Sequence, residues 1–457
     1  MATHSELATP CNRGVRPTPF ELSILRTLAG LVSFLTLVLV LCGCRPSAHE
    51  TVTVTFLDPE WSHDLQSRRT IADETLQEFT RETGIKVKHL PAPETAPDQL
   101  ALTRDLLQKH AVAPDVYGID VIWPGMLSEY LVDLKPYFTA ELSAQDPRVV
   151  ANYTVQGKLV AMPYHANTGI LFYRADLLQK YGFSTPPRTW DELEKIAVKI
   201  QAGERAKGEK DFWAFVWPGA GTEGLTCLAL EWQVDEGGGE IIEPDREISV
   251  NNPNATRSWE RARHWVGWIS PPSVTSYQEW DASNAFWIKG RAAFFRGWTS
   301  DYFLTYPLDV PFAKQSGLTS VPGGKSARVD TLGGFGLGVS QSSAHQPEAI
   351  KLIQFLARKE AEIEKARSQT DPPARPEIFE LPTILKAFKR LSKPGEEQGG
   401  SVVARPSNIT GQKYDAVSQA YARAVHSVLT GESKAPEAAA NLEKDLVRLT
   451  GFAAKRQ

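Results

Sequence analysis

Within five positions, Tyr164, His165, Asn167 and Thr168 place a phenol, an imidazole, an amide and a hydroxyl together. All four donate and accept hydrogen bonds. Apolar runs flank them, Leu159 to Met162 before and Ile170 to Tyr173 after. A polar island between two buried strands is a poor core and a good place to hold a polar ligand where the chain crosses between lobes. Further candidates stand elsewhere. Glu60 and Trp61 close a first expected strand, and Asp120 and Trp123 close a third. Glu223 lies in the glycine loop from Gly219 to Gly224, and Trp217 and Trp298 occupy glycine-flanked segments where a ring can face a cleft. Carboxylates and amides take hydroxyls in pairs, and aromatic faces cover C–H surface, so the chemistry on offer is recognition of a hydroxyl-rich ligand.

The elements that must position these residues follow from periodicity. Thr51 to Leu57 alternates as a first strand, and a helix follows over about Ser67–Thr83. A second strand is expected at Ile85–Leu90, a helix at about Pro97–Lys109 and a third strand at Asp115–Val121. This alternation is the sign of a parallel sheet, with ligands beyond the carboxyl ends of its strands. Pro163 lacks an N–H and is expected to end the strand before the polar island. Thr189-Trp190-Asp191-Glu192 reads as a capping box opening a helix with Leu193, Ile196, Ala197 and Ile200 inward. A strand at Phe212–Val216 and a helix from Leu225 come next. Leu318–Gly324 reads as a return crossing, Pro347 to about Ala366 as one helix, and Asp371–Pro376 as a third crossing. The tail is helical with Tyr414, Val417 and Tyr421 on one face, and Ser392–Ser401 is an exposed loop. Nine of the twelve tryptophans fall between Trp213 and Trp298; those in helical stretches, such as Trp259, Trp265 and Trp287, read mostly as core.

At 457 residues the chain exceeds one ordinary core, so two lobes are expected. A net charge of -4 with 23% charged residues gives no case for nucleic acid. Arg13, Arg16 and Arg26 precede an apolar run from Leu28 to Leu41 that ends in Cys42-Gly43-Cys44, the pattern of an export signal. That run is shorter than the ~20 residues of a spanning helix, though a simple membrane anchor is the alternative. Cys227, left without a partner after processing, reads as a small core residue. No cysteine or histidine set has metal spacing, so no metal or cofactor is expected. Pro322-Gly323-Gly324-Lys325-Ser326 mimics a phosphate loop, but Thr319 stands where its first glycine is required. The enzyme alternative is a secreted glycoside hydrolase with Asp120 and Glu223 as its carboxylate pair.

Several blocks together resemble one family. Lys158 to Arg174, the Pro-Arg-Thr-Trp-acid run at Pro187–Glu192, Trp217-Pro218-Gly219 with Glu223 to Cys227, Leu318–Gly324 and Thr331–Ser340 follow in its order and spacing. The chain resembles the extracellular solute-binding proteins of carbohydrate ABC transporters, in the trehalose/maltose-binding branch. That resemblance implies an α/β, two-lobed periplasmic-binding-protein fold of type II, with hinge-connected lobes and a cleft between them. It implies residues 1–44 as a lipoprotein signal, 45–163 with 321–368 as the N-terminal lobe, and 164–320 with 369–457 as the C-terminal lobe. It further implies capture of a disaccharide or short α-glucoside and delivery to ABC permease subunits with their ATPase, by a non-enzymatic monomer. The Leu-Cys-Gly-Cys run resembles a lipobox, implying a lipid on Cys44 and a membrane-anchored protein facing the periplasm or cell exterior. Carried over by position, the ligand residues are Glu60, Trp61, Asp120, Trp123, Tyr164, Asn167, Trp217, Glu223, Trp298, Gly334 and Arg405. Asn167 stands where the family often has Asp, which removes a charge-assisted acceptor.

Overall fold

Alternation of side chains decides which strands carry the structure. In the computed structural model, described over residues 51–58, 66–93, 96–301, 312, 315–324, 328–367, 373–382, 384 and 401–456, one strand does not stop at the polar island but runs through it. The first three strands are β1 (Thr53–Asp58), β2 (Lys86–Pro91) and β3 (Val116–Asp120), linked by helices α1 (Gln66–Thr83) and α2 (Ala96–Gln108). They pair in parallel, as the sequence pattern predicts, in the order β2-β1-β3. Val54, Phe56, Val116 and Ile119 point into a first core with Phe79 and Leu107 of the helices.

The next long strand, β4, spans Met162–Arg174 without a break. The expected stop at Pro163 is therefore corrected. Pairing with the later strand β8 (Val329–Val339) slips by one residue here: Phe335 faces His165, and Gly336 faces Pro163. Tyr164 is the extra residue of a β-bulge, and a bulge accommodates a residue that has no N–H to give the ladder.

The second half of β4 serves a different core. Leu171 and Tyr173 point into it with Trp217, Leu225 and Trp259, while Ile170 and Phe172 point to the opposite face with Val216 and Phe295. That is the period-2 signature of a strand buried on both faces. Around it lie β5 (Trp213–Val216), β6 (Ala292–Trp298) and β7 (Ser316–Thr319). Strand β8 is the return path: Val329 sits in the second core, and Leu332, Leu337 and Val339 sit in the first. The central order is β2-β1-β3-β8-β4-β6-β5, with β7 on β4 and β9 (Ser401–Val403) on β8. Of Leu318–Gly324, read as a return crossing, Leu318 and Thr319 are the last two residues of β7, which pairs antiparallel to β4.

Helix α3 (Trp190–Ala206) opens as its capping box predicts, Thr189 Oγ1 accepting from Glu192 N–H at 3.2 Å. The reciprocal bond goes one residue earlier than expected, from Arg188 N–H to Glu192 Oε2 at 2.7 Å. Helix α4 (Glu223–Asp235) is buried along most of its length and carries Cys227, fully enclosed and in no disulfide. Helix α5 spans Pro253–Trp265. The single helix expected from Pro347 is two, α6 (Gln346–Leu356) and α7 (Lys359–Arg367), with Ile350, Ile353 and Leu356 buried as expected. Helices α8 (Tyr414–Thr430) and α9 (Ala435–Thr450) complete the second core. Among the described residues, no helix is long and apolar enough to cross a membrane.

Candidate functional site

The middle of β8 is where sequence candidates from five distant segments meet. Asp120, at the end of β3, lies opposite Phe335, and its Oδ1 accepts from Ile122 N–H at 3.1 Å, turning the chain away from the sheet. On the other side of β8, Asn167 of β4 lies opposite Gly333. The Asn167 amide is used at both ends: Nδ2 donates to Ser300 Oγ at 2.8 Å, and Oδ1 accepts from Ser300 N–H at 3.1 Å. The next residue repeats the tie, Thr168 N–H donating to Thr299 Oγ1 at 3.0 Å. These bonds fix the segment just after Trp298. The Trp298 N–H itself donates to an Asp301 carboxylate oxygen at 2.7 Å.

Gly334 sits between these groups with φ +118°. A Cβ there would come within 2.3 Å of His165 O, so no other residue fits this backbone without displacement. Its carbonyl accepts from Val121 N–H at 3.1 Å, joining β8 to the turn after Asp120.

Glu223 and Arg405 form a second cluster beside it. Arg405 Nη1 donates to Glu223 Oε1 at 2.8 Å, and Nη2 donates to Leu332 O at 2.8 Å. Glu223 also accepts from Tyr414 Oη at 2.5 Å and from Ser418 Oγ. Burial, with Glu223 beside it, pushes the Tyr414 phenol well above its ordinary pKa, so it stays a donor. Arg405 is buried, whereas the Glu223 side chain keeps a third of its surface exposed. Tyr164, at the bulge, carries Lys365 Nζ over its ring at 3.3 Å from the centroid.

Beneath the crossing, α4 does for the first turn of β8 what a neighbouring strand would. Asp235 Oδ1 accepts from Val329 N–H at 2.9 Å, and Glu231 Oε1 accepts from Thr331 N–H at 3.0 Å. Asp330 Oδ1 accepts from Val321 N–H at 2.9 Å. Burial, reinforced by the nearby Glu231 charge, raises the Asp235 carboxyl to about 9 and the Asp330 carboxyl to about 7.

Two sequence expectations are corrected. Trp217 is 0% exposed in the second core, edge-on to Trp232, with its indole N–H on Ser270 Oγ at 3.0 Å. Trp123 is 2% exposed and packs edge-on against Phe335, a ring-centroid distance of 6.2 Å. A glycine flank marked Trp217 and a strand end marked Trp123 as cleft rings, yet each ring turns inward to bury its surface. Glu60, Trp61 and Cys44 lie outside the described residues. Missed in the sequence were Phe335, Thr299, Ser300 and Arg296. Only Phe335 had a signal, as the single aromatic in the glycine run Gly333 to Gly338. Among the described residues no cluster of metal-ligating side chains occurs. A cavity of about 470 Å³ lies elsewhere, beside the start of α5, lined by Gly238, Asn252, Asn254, Lys455 and neighbours but by none of the site residues.

Residues 64–363 match the family of bacterial extracellular solute-binding proteins. The chain belongs to that family. It is 39% identical over 375 residues to a probable ABC transporter-binding protein of Deinococcus radiodurans, covering 82% of this chain and 89% of that one. The maltose-bound MalE3 of T. maritima superposes with a TM-score of 0.77 at 30% identity, covering 87% of this chain and all of MalE3 (100%). A solute-binding protein of Thermotoga lettingae, solved with α-D-tagatose, superposes at 0.73 with 20% identity over 88% of this chain and 99% of its own, a likeness of fold alone. The two-lobed α/β architecture of these proteins is the one found here, with β4 and β8 passing between the cores.

Proposed function

We propose that this protein captures a sugar, a disaccharide or short α-glucoside, and delivers it to the permease of an ABC importer. The observation that carries the reading is that Asp120, Asn167, Gly334 and Trp298 gather on β4 and β8 and at the ends of β3 and β6, where the chain passes between two cores. Trp298 and Tyr164 offer rings for the C–H faces of a pyranose, and Asp120 offers a carboxylate for its hydroxyls, while the buried Arg405 holds Glu223 in place beside them. Lobes formed by residues 45–163 with 321–368 and by 164–320 with 369–457 would close on the sugar, with β4 and β8 as the hinge. The mature protein would be a monomer held to the membrane by lipid on Cys44, and the energy of transport would come from the partner ATPase.

The hydrolase alternative loses support from Glu223, whose carboxylate is taken up by Arg405, Tyr414 and Ser418. A general acid or nucleophile needs an oxygen available to the scissile bond. Calorimetric titration of the mature chain from residue 45 with maltose, trehalose, sucrose and longer α-glucosides, followed by product analysis, tests both readings. Saturable one-to-one binding with intact sugar supports capture. Recovery of monosaccharides overturns it.

A further inference from the structure

Trp298 stands on a buried ion pair. Arg296, two residues earlier on β6 and 1% exposed, places its guanidinium carbon 4.5 Å from the centroid of the Trp298 ring. Its Nε and Nη2 both donate to Glu231 of α4, which is 0% exposed. Glu231 Oε1 in turn accepts from Thr331 N–H of β8 at 3.0 Å. Room for the pair comes from Gly169 of β4, which lies opposite Trp298: a Cβ there would meet Arg296 Nη2 at 2.1 Å and Glu231 Oε1 at 2.2 Å. Gly333 of β8 likewise leaves room for the ring, since a Cβ would come within 2.8 Å of Trp298 Cζ3.

A buried charge pair is a weak source of stability, because desolvation offsets most of its attraction, so a packing role alone does not account for it. What the geometry does supply is a rigid, positively charged floor under an aromatic ring, with the floor tied to a crossing strand. We propose that Arg296 is a positioning residue for the Trp298 ring in sugar binding, held by Glu231, so that ring placement is coupled to β8. This rests on the reading of Trp298 as a ligand ring. Lysine cannot replace Arg296 in this role, since its point charge lacks the planar fork that meets Glu231 and the ring at once.

The test compares three variants of the purified protein titrated with maltose and trehalose: Trp298→Ala, the paired Glu231→Gln/Arg296→Met, and all three changes together. The paired change keeps an acceptor for Thr331 N–H and strands no charge, so it is the variant expected to fold; thermal unfolding confirms this. A 5-fluorotryptophan label, with the Trp298 signal assigned by its loss in Trp298→Phe, reads ring placement without sugar. The expected result is a moved or broadened Trp298 signal in the paired variant and at least about a tenfold loss of affinity. Adding Trp298→Ala should then cause little further loss, the mark of residues acting as one unit. A paired variant with unmoved signal and unchanged affinity, while Trp298→Ala weakens binding, overturns the inference and leaves the site reading standing. A moved signal with sugar affinity indifferent to Trp298→Ala overturns the site reading, and the role of Arg296 in sugar binding with it.

Discussion

Asn167 and Ser300 hold each other through both ends of one amide, Nδ2 to Oγ at 2.8 Å and Oδ1 from N–H at 3.1 Å. The pair fastens the chain that follows Trp298 to the crossing strand β4. Asn167→Ala leaves the Ser300 N–H without its acceptor, an effect of about 1 kcal/mol or more on stability. Sugar affinity should fall about tenfold because the ring segment loosens. Asn167→Asp keeps the acceptor but loses the donor, and should lie between. Calorimetric affinity and thermal midpoints of the two variants check this ordering.

Trp217 and Trp298 should part company on substitution. Trp298→Ala and Asp120→Ala are each expected to weaken sugar binding at least about tenfold, roughly 1.4 kcal/mol, with the fold intact. Trp217→Phe should leave affinity within about twofold but lower stability by about 1–3 kcal/mol, since it empties core volume and strips Ser270 of a donor. Denaturant midpoints beside titrations separate the two effects, and an affinity loss in Trp217→Phe would return that ring to the site.

Gly334 permits no side chain. Gly334→Ala combines a φ of +118° with a Cβ pressed to 2.3 Å from His165 O, so β8 must shift at the crossing. A destabilisation of about 1–3 kcal/mol is expected, together with loss of sugar binding. Urea unfolding followed by circular dichroism gives the first number, and titration the second.

The buried acids beneath β8 predict a pH dependence. Asp235 rises from an ordinary 3.8 to about 9 and Asp330 to about 7, burial being the first cause and Glu231 the second. Between about pH 4 and those values the folded chain holds protons that the unfolded chain has released. Stability from these groups is therefore full below the unfolded pKa and is lost as pH rises, through about 7 for Asp330 and 9 for Asp235. Asp235→Asn keeps an acceptor for Val329 N–H and removes the titration. Urea midpoints at pH 5, 7 and 9 should fall less steeply in this variant than in the parent. Equal slopes would mean that Asp235 is ionised in the fold throughout.

What could be read from the sequence depended on how local each cause was. The parallel β1-α1-β2-α2-β3 run was legible because its periodicities and stops lie within a few residues of one another. The capping box at Thr189 was legible for the same reason. Pro163 misled, because whether a missing N–H ends a strand or lodges in a bulge is decided by its partner Gly336, far along the chain. The direction of Trp217 was equally hidden: glycine neighbours mark a loop, while Trp232 and Ser270 draw the ring inward. Ser300 and Arg296 escaped because their partners, Asn167 and Glu231, lie 133 and 65 positions away.

Strand β8 occupies the middle of the sheet, between β3 and β4, although among the described residues it is the second-to-last strand in chain order. Each half of the molecule is therefore incomplete until the polypeptide has grown past Val339, and no truncation before that point can leave a finished lobe. Such late closure of distant pairings slows collapse to the native state. A chain built this way remains threadable for longer during synthesis than one whose sheet is assembled from neighbours.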